Sequence, residues 1–258
     1  MTVDLFMFMG QSNMAGRGIT SDIHPEPAPE LLPGVGYEYR AVTAPDMLCE
    51  LCEPFGCREN RSDGINDGDM KTGSMVTSFV NAYYGITEIP VVGVSASKGG
   101  SRIEQWQPGT PFLNDAAKRF DMAVRYLENN DHVIRHKYML WCQGESDGDV
   151  KTPREVYKKC FFNMLSVMTE HGIEKCFLIK TGESNGGEDY TYHEIQAAQD
   201  EIAAESDAVV IVSERLAEMK GRGLMKDAFH YFQQAYNEVG HDAGINTARY
   251  IEAEKNKA

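Results

Sequence analysis

The sequence predicts an α/β fold, a three-layer α/β/α sandwich on a mostly parallel five-stranded sheet. Three observations carry that expectation. Short apolar runs alternate with amphipathic stretches from one end of the chain to the other. Each run is nearly continuous in apolarity, as strands covered on both faces must be. No repeat, low-complexity tract or linker interrupts the 258 residues, so one domain spanning 1–258, with one large core, is expected.

The first strand is expected at 3–9 (VDLFMFM), and four more at 89–94, 136–142, 175–181 and 208–212, each bounded by polar residues or glycine. Helical patterns lie between them, near 74–85, 112–129, 153–170, 190–205 and 231–255. Thr152-Pro153 reads as a cap followed by proline at the first helical position, and Gly172 as the C-terminal glycine where a candidate helix stops. The stretch from about 18 to 73 breaks the pattern. It holds six of the ten prolines and little periodicity, so it reads as a long loop insertion. Because ligands bind beyond the carboxyl ends of strands in such sheets, this insertion is expected to wall the site.

Composition excludes several classes. With 25 Lys+Arg against 39 Asp+Glu the net charge is −14, which argues against a nucleic-acid partner. No apolar run approaches the roughly 20 residues of a membrane span, so no membrane partner is expected. Met1-Thr2-Val3-Asp4 leads straight into Leu5–Met9 without a basic segment or a cleavage site, and a cytoplasmic location is the expectation. Six cysteines are too few for a disulfide scaffold. The cluster Cys49, Cys52 and Cys57 lacks a second C-x-x-C pair or an H-x-x-x-H partner, so free thiols are expected and no metal.

Four segments carry candidate chemistry, all at or beyond the carboxyl ends of expected strands. Gly10-Gln11-Ser12-Asn13-Met14-Ala15-Gly16 presents a serine on a strand-to-helix turn, beside backbone N–H groups able to hold an oxyanion. Lys98-Gly99-Gly100-Ser101 and Trp141-Cys142-Gln143-Gly144-Glu145-Ser146-Asp147 follow two later strands. Asp227-Ala228-Phe229-His230 sets a carboxylate three residues before an imidazole, close enough to fix its tautomer.

The blocks GQSNMAG, KGGSRIEQW, WCQGESD and DAFH, in this order over residues 10–230, resemble the SGNH/GDSL hydrolase superfamily with its flavodoxin-like fold. More narrowly they are similar to its sialic-acid O-acetylesterase-like branch, which includes the carbohydrate esterase family 6 acetylxylan esterases. The resemblance implies an acetylesterase without a cofactor, acting on an acetylated carbohydrate. Ser12 is then the nucleophile, His230 the general base and Asp227 its orienter. The implied oxyanion hole uses the Ser12 N–H, an N–H of Gly99 or Gly100, and the Gln143 side chain. Gln11, Asn13 and Glu145 are implied supports. Acetylxylan-type oligosaccharides are the favoured substrate, ahead of an O-acetylated sialic acid, with a non-catalytic sugar-binding protein or a lipase-like enzyme as rivals. Arg102 and Trp106 are candidate sugar contacts, as are Tyr37, Tyr39 and Phe55, although Arg102 can equally pair with Glu104.

Two literal G-x-S-x-G matches compete, around Ser146 and Ser184. A nucleophile elbow needs a helix directly after its serine, whereas Gly148–Pro153 and Gly186-Gly187 read as loop. Each chosen residue also has a bland role: Ser12 and Asn13 as caps, Gly99-Gly100 as an ordinary turn, His230 as a surface histidine. His241 is an alternative base inside the last helical pattern, without an Asp at comparable spacing.

Overall fold

A computed structural model describes residues 1–187 and 189–255. The first half of the chain runs β1 (Thr2–Gly10), α1 (Ser12–Ala15), β2 (Gly36–Tyr39), β3 (Leu48–Glu50), α2 (Val76–Thr87), β4 (Val91–Ser97), a short 3-10 turn (Ile103–Trp106) and α3 (Pro111–Asn129). It continues with β5 (Val133–Cys142), α4 (Glu145–Asp149), α5 (Arg154–Glu170), β6 (Lys175–Ile179), α6 (His193–Glu205), β7 (Val209–Ser213), α7 (Leu216–Met219) and α8 (Gln233–Lys255).

Among the described residues the sheet has seven strands in the order β3-β2-β4-β1-β5-β6-β7, all parallel except the β2–β3 pair. The five expected strands are its centre and one flank, in the flavodoxin order. The five-strand expectation is corrected by two short strands inside the 18–73 insertion, which extend the sheet beyond β4. Neither carries a long apolar run, so periodicity could not find them.

Strand β1 shows why the fold is layered. Val3 to Met9 are buried, and alternate side chains feed opposite cores. Leu5, Met7 and Met9 pack with α3, α5 and α6; Phe6 and Phe8 pack with α2 and α8. Helix α8 approaches α2 closely at Gly240 and Gly244, where an added Cβ would lie 2.2 and 2.4 Å from the carbonyls of Met75 and Phe79. Helix α5 ends before Gly172 as expected, but Thr152 does not cap it: its hydroxyl donates to Asp147 instead, at 2.8 Å.

The insertion puts Val35, Leu51, Phe55 and Ile65 into the two cores, and charged and polar groups fasten the rest of it. Glu53 accepts the N–H and O–H of Ser74 at 2.8 and 2.7 Å, and Glu59 accepts the Val42 N–H at 2.8 Å. Arg119 of α3, almost fully buried, donates to the Glu59 and Ser95 carbonyls at 2.9 Å each. Lys71 reaches Gly56 O and Ser95 Oγ at 3.1 and 2.9 Å; burial lowers its ammonium to about 8. Among the described residues no helix is long and apolar enough to cross a membrane.

Candidate active site

The register levels the carboxyl ends of three strands, with Gly10 opposite both Ser97 and Cys142. At that edge the chain leaves β1 through Gly10, whose φ of +138° and close approach to Cys142 O (2.0 Å from an added Cβ) leave room only for glycine. The turn delivers Ser12 to the start of α1, 5% exposed. From the other end of the sequence Asp227 folds back on its own backbone. Its Oδ1 accepts the N–H groups of Phe229 and His230 at 2.8 Å each, and its Oδ2 lies 2.9 Å from His230 Nδ1. His230 Nε2 in turn stands 3.0 Å from Ser12 Oγ.

Charge fixes the direction of these contacts. Burial pulls the Asp227 carboxyl up, but the Phe229 N–H and the His230 ring and N–H outweigh it and hold it below the usual carboxylate range. An ionised carboxylate only accepts, so His230 carries its proton on Nδ1, and Nε2 accepts the Ser12 hydroxyl. Burial is the main force lowering the imidazole pKa below its ordinary value, aided by Arg17 and Lys226 against the pull of Asp227.

Ser12 and His230 open on a cavity of about 520 Å³, also lined by Arg17, Asp67, Met70, Lys98, Gly99, Gly100, Glu145 and Phe229. Gly99 donates its N–H to Asp67 at 2.9 Å. Among the described residues no acceptor meets the N–H of Ser12 or of Gly100.

The expected oxyanion role of Gln143 is not supported. Gln143 is fully buried, and both amide hydrogens are engaged, by Ser101 O at 3.1 Å and Asp147 Oδ2 at 2.5 Å, while its oxygen accepts the Tyr157 hydroxyl. Its side chain braces the 101–103 segment against α4. The supporting residues form a connected network. Gln11 Oε1 accepts the N–H groups of Gly144 and Ser146 at 3.1 and 3.2 Å. Asn13 accepts the Tyr236 hydroxyl at 2.6 Å and donates to Phe229 O, next to His230, and to Glu145 Oε1.

Glu145 is 2% exposed, and among the described residues its second oxygen has no partner. Desolvation pushes its carboxyl up to about 7, against the lowering contact from Asn13. The folded-state value lies above the unfolded one. Its stabilisation is therefore complete below about 4.5 and is lost as pH rises through about 7, a change on the order of 3 kcal/mol. Thermal melts check this: Glu145→Gln, which does not titrate, gains several degrees of Tm relative to the parent between about pH 5 and pH 8. A constant Tm difference refutes the coupling.

The expected sugar contacts are corrected. Trp106 is fully buried, donates to Ser101 Oγ at 3.0 Å and packs edge-on against Trp141. Tyr39 and Phe55 are 2% exposed core residues, and Tyr37 packs partly buried against the same core as Tyr39. Arg102 pairs with Glu104 at the surface. None of them lines the cavity. Of the walls that sequence missed, Arg17 directly follows the GQSNMAG block, but Asp67 and Met70 lie in aperiodic chain that gave no signal. The insertion does wall the cavity, as expected.

The rival serines fall out differently from each other. A short helix, α4, does follow Gly144, contrary to the loop expectation, and Ser146 lines the cavity; His230 nevertheless faces Ser12. Ser184 is buried, its Oγ accepting the Gly186 N–H at 3.1 Å. His241 lies in a separate cavity of about 690 Å³ between the 26–30 segment and helices α2 and α8. All six cysteines are free thiols, and no group of three or more His, Cys, Asp or Glu among the described residues could hold a metal.

Comparison with known proteins gives the chain relatives. It matches a protein from Arabidopsis thaliana at 21% identity and a TM-score of 0.70, over 96% of this chain and 98% of the other. It matches a carbohydrate acetylesterase from Xanthomonas citri at 15% identity and a TM-score of 0.59, over 95% of this chain but 55% of that one. At these identities the likeness is one of fold. No curated protein sequence matches. The family profile described as carbohydrate esterase, sialic acid-specific acetylesterase matches residues 2–246. That match takes in all seven strands and the whole cavity wall, and the chain accordingly belongs to the sialic acid-specific acetylesterase family of carbohydrate esterases.

Proposed function

We propose that the protein is a serine acetylesterase that removes O-acetyl groups from sugars through an acyl-enzyme on Ser12. The relay Ser12–His230–Asp227, opening on the 520 Å³ cavity, carries this reading. Ser12 Oγ attacks the ester carbonyl as its proton passes to His230 Nε2, and the carbonyl oxygen becomes an oxyanion. The unengaged N–H groups of Ser12 and Gly100 are the donors for that oxyanion; Gly99 is occupied by Asp67, and Gln143 is left out. The intermediate collapses as His230 protonates the departing sugar hydroxyl. Water then takes the place of the sugar and releases acetate by the same route.

The favoured substrate is an acetylated neutral sugar of the xylo-oligosaccharide type. Arg17 is already paired with Asp67, and Asp67 and Asp149 in the wall balance Arg17 and Lys98, which leaves no surplus of positive charge for a sugar carboxylate. Met70 and Phe229 offer apolar surface to a ring face. The exposed part of Lys98 favours the second reading, a sialic acid ester, and a protein that only binds sugar is the third. Acetate release decides among them. Acetylated xylo-oligosaccharides are expected to be turned over faster than O-acetylated sialic acid. The opposite order replaces the substrate, and release from neither, nor from 4-nitrophenyl acetate, leaves the binding-only reading.

A further inference from the structure

We propose that Asp67, carried by the long insertion, is a positioning residue that aims the Gly100 N–H into the site; this rests on the acyl-enzyme reading above. The turn it grips cannot hold itself. Lys98 O accepts the Ser101 N–H at 3.3 Å, closing a turn whose two central residues are glycines. Gly100 has a φ of +69°, as the third residue of a type II turn requires. Type I and type II turns differ by a flip of the central peptide, and two glycines accept both forms. That flip would reverse the Gly100 N–H. External contacts must choose the turn.

The Gly99 N–H points the same way in both forms and only seats the turn, so the choice falls to Gly99 O and to the Lys98 ammonium that Asp67 holds beside it. Asp67 Oδ1 accepts the Gly99 N–H at 2.9 Å, and the Lys98 ammonium donates to Gly99 O at 2.9 Å while lying 3.7 Å from Asp67 Oδ1. In a trans peptide the C=O and N–H point in opposite directions. With Gly99 O drawn toward Lys98, the Gly100 N–H therefore turns away from Lys98. Gly100 itself borders the cavity, with open space where a Cβ would be.

Asp67 is in turn rigidly seated. Its side chain is 3% exposed, and Oδ2 meets the Arg17 guanidinium at 2.5 Å. Its own N–H goes to Asn60 Oδ1 at 2.8 Å, and the Asn60 amide ties back to Cys57 O and Gly68 O. The Arg17–Asp67 pair lies directly over Gly99: a Cβ there would stand 2.3 Å from the guanidinium and 2.9 Å from the carboxylate. One carboxylate thus joins the turn after β1, through Arg17, to the turn after β4, through Gly99.

The test compares Asp67→Ala and Asp67→Asn on 4-nitrophenyl acetate, with Ser12→Ala alongside. Alanine is expected to lower kcat about 10- to 100-fold, part of what losing an oxyanion donor costs, with KM within about threefold. Asparagine keeps the volume and an acceptor for the Gly99 N–H, so its loss is smaller. The readout that damage to folding alone would not move is inhibition by 1,1,1-trifluoroacetone, whose carbonyl takes Ser12 Oγ to form a tetrahedral oxyanion. Its Ki is expected to rise by the factor lost in kcat/KM, while inhibition by acetate stays unchanged. A kcat within about twofold of the parent in the alanine variant overturns the proposal. So does an unchanged trifluoroacetone Ki beside a lowered kcat, or an equal loss in both variants. An active Ser12→Ala protein instead overturns the acyl-enzyme reading itself.

Discussion

Alanine in place of Ser12 is expected to lower kcat/KM for 4-nitrophenyl acetate by about 10⁴-fold or more, because it removes the atom that forms the acyl-enzyme. Nothing nearby replaces it. Ser12 is the hydroxyl that His230 Nε2 meets, at 3.0 Å, and Ser146 has no such contact although it shares the cavity wall. What survives is the modest rate that two backbone N–H groups and bound water supply. Rapid mixing of the parent with excess ester should give a burst of 4-nitrophenol and an acetylated protein by mass; the variant should show neither. Ser184→Ala, distant in role and buried, is expected to stay within about twofold. A Ser12→Ala protein that keeps a tenth of the activity sinks the assignment. If Ser146→Ala abolishes turnover instead, the nucleophile-elbow reading is restored.

The central sheet was legible because β1, β4, most of β6 and the second half of β5 are buried on both faces, so their apolar runs are continuous. The insertion was not. Its core residues, such as Leu51, Phe55 and Ile65, come singly rather than in runs, and Glu53, Glu59, Lys71 and Arg119 fasten it through charged side chains whose partners no periodicity records. The same divide runs through the site. Asp227 and His230 are three residues apart, and local backbone contacts bring them together, so their spacing could be read. Gln143 misled because its block marks a place near the site but not which way the amide points. In the fold Ser101 O and Asp147 take both of its hydrogens. Trp106 misled for a related reason: an aromatic residue in a loop-like stretch reads as a sugar platform until its burial against Trp141 is known.

The pH dependence of turnover follows from the surroundings of His230, and Asp227→Asn provides its most severe test. In the parent, burial and the charges of Arg17 and Lys226 lower the imidazole pKa below its ordinary value, and Asp227 partly restores it. The neutral ring is the proposed base. kcat/KM is therefore expected to rise along a limb centred below the usual histidine pKa of about 6.5 and to level off near neutrality. Asparagine removes the carboxylate that favours the imidazolium, so the limb moves to still lower pH. The plateau falls for a different reason. Oδ1 of residue 227 is held by the Phe229 and His230 N–H groups at 2.8 Å, which leaves the new amide nitrogen where Oδ2 faced Nδ1. An amide N–H aimed at Nδ1 forces the ring proton onto Nε2, and Nε2 can then no longer accept from Ser12. A plateau loss of about 10²- to 10⁴-fold is expected, toward the lower end because Asp227 is 45% exposed and water can compete for Nδ1. Profiles of kcat/KM from about pH 4 to pH 9 measure both effects at once. A limb that moves upward, or a plateau within about threefold of the parent, contradicts Asp227 as the residue that sets the tautomer of the base.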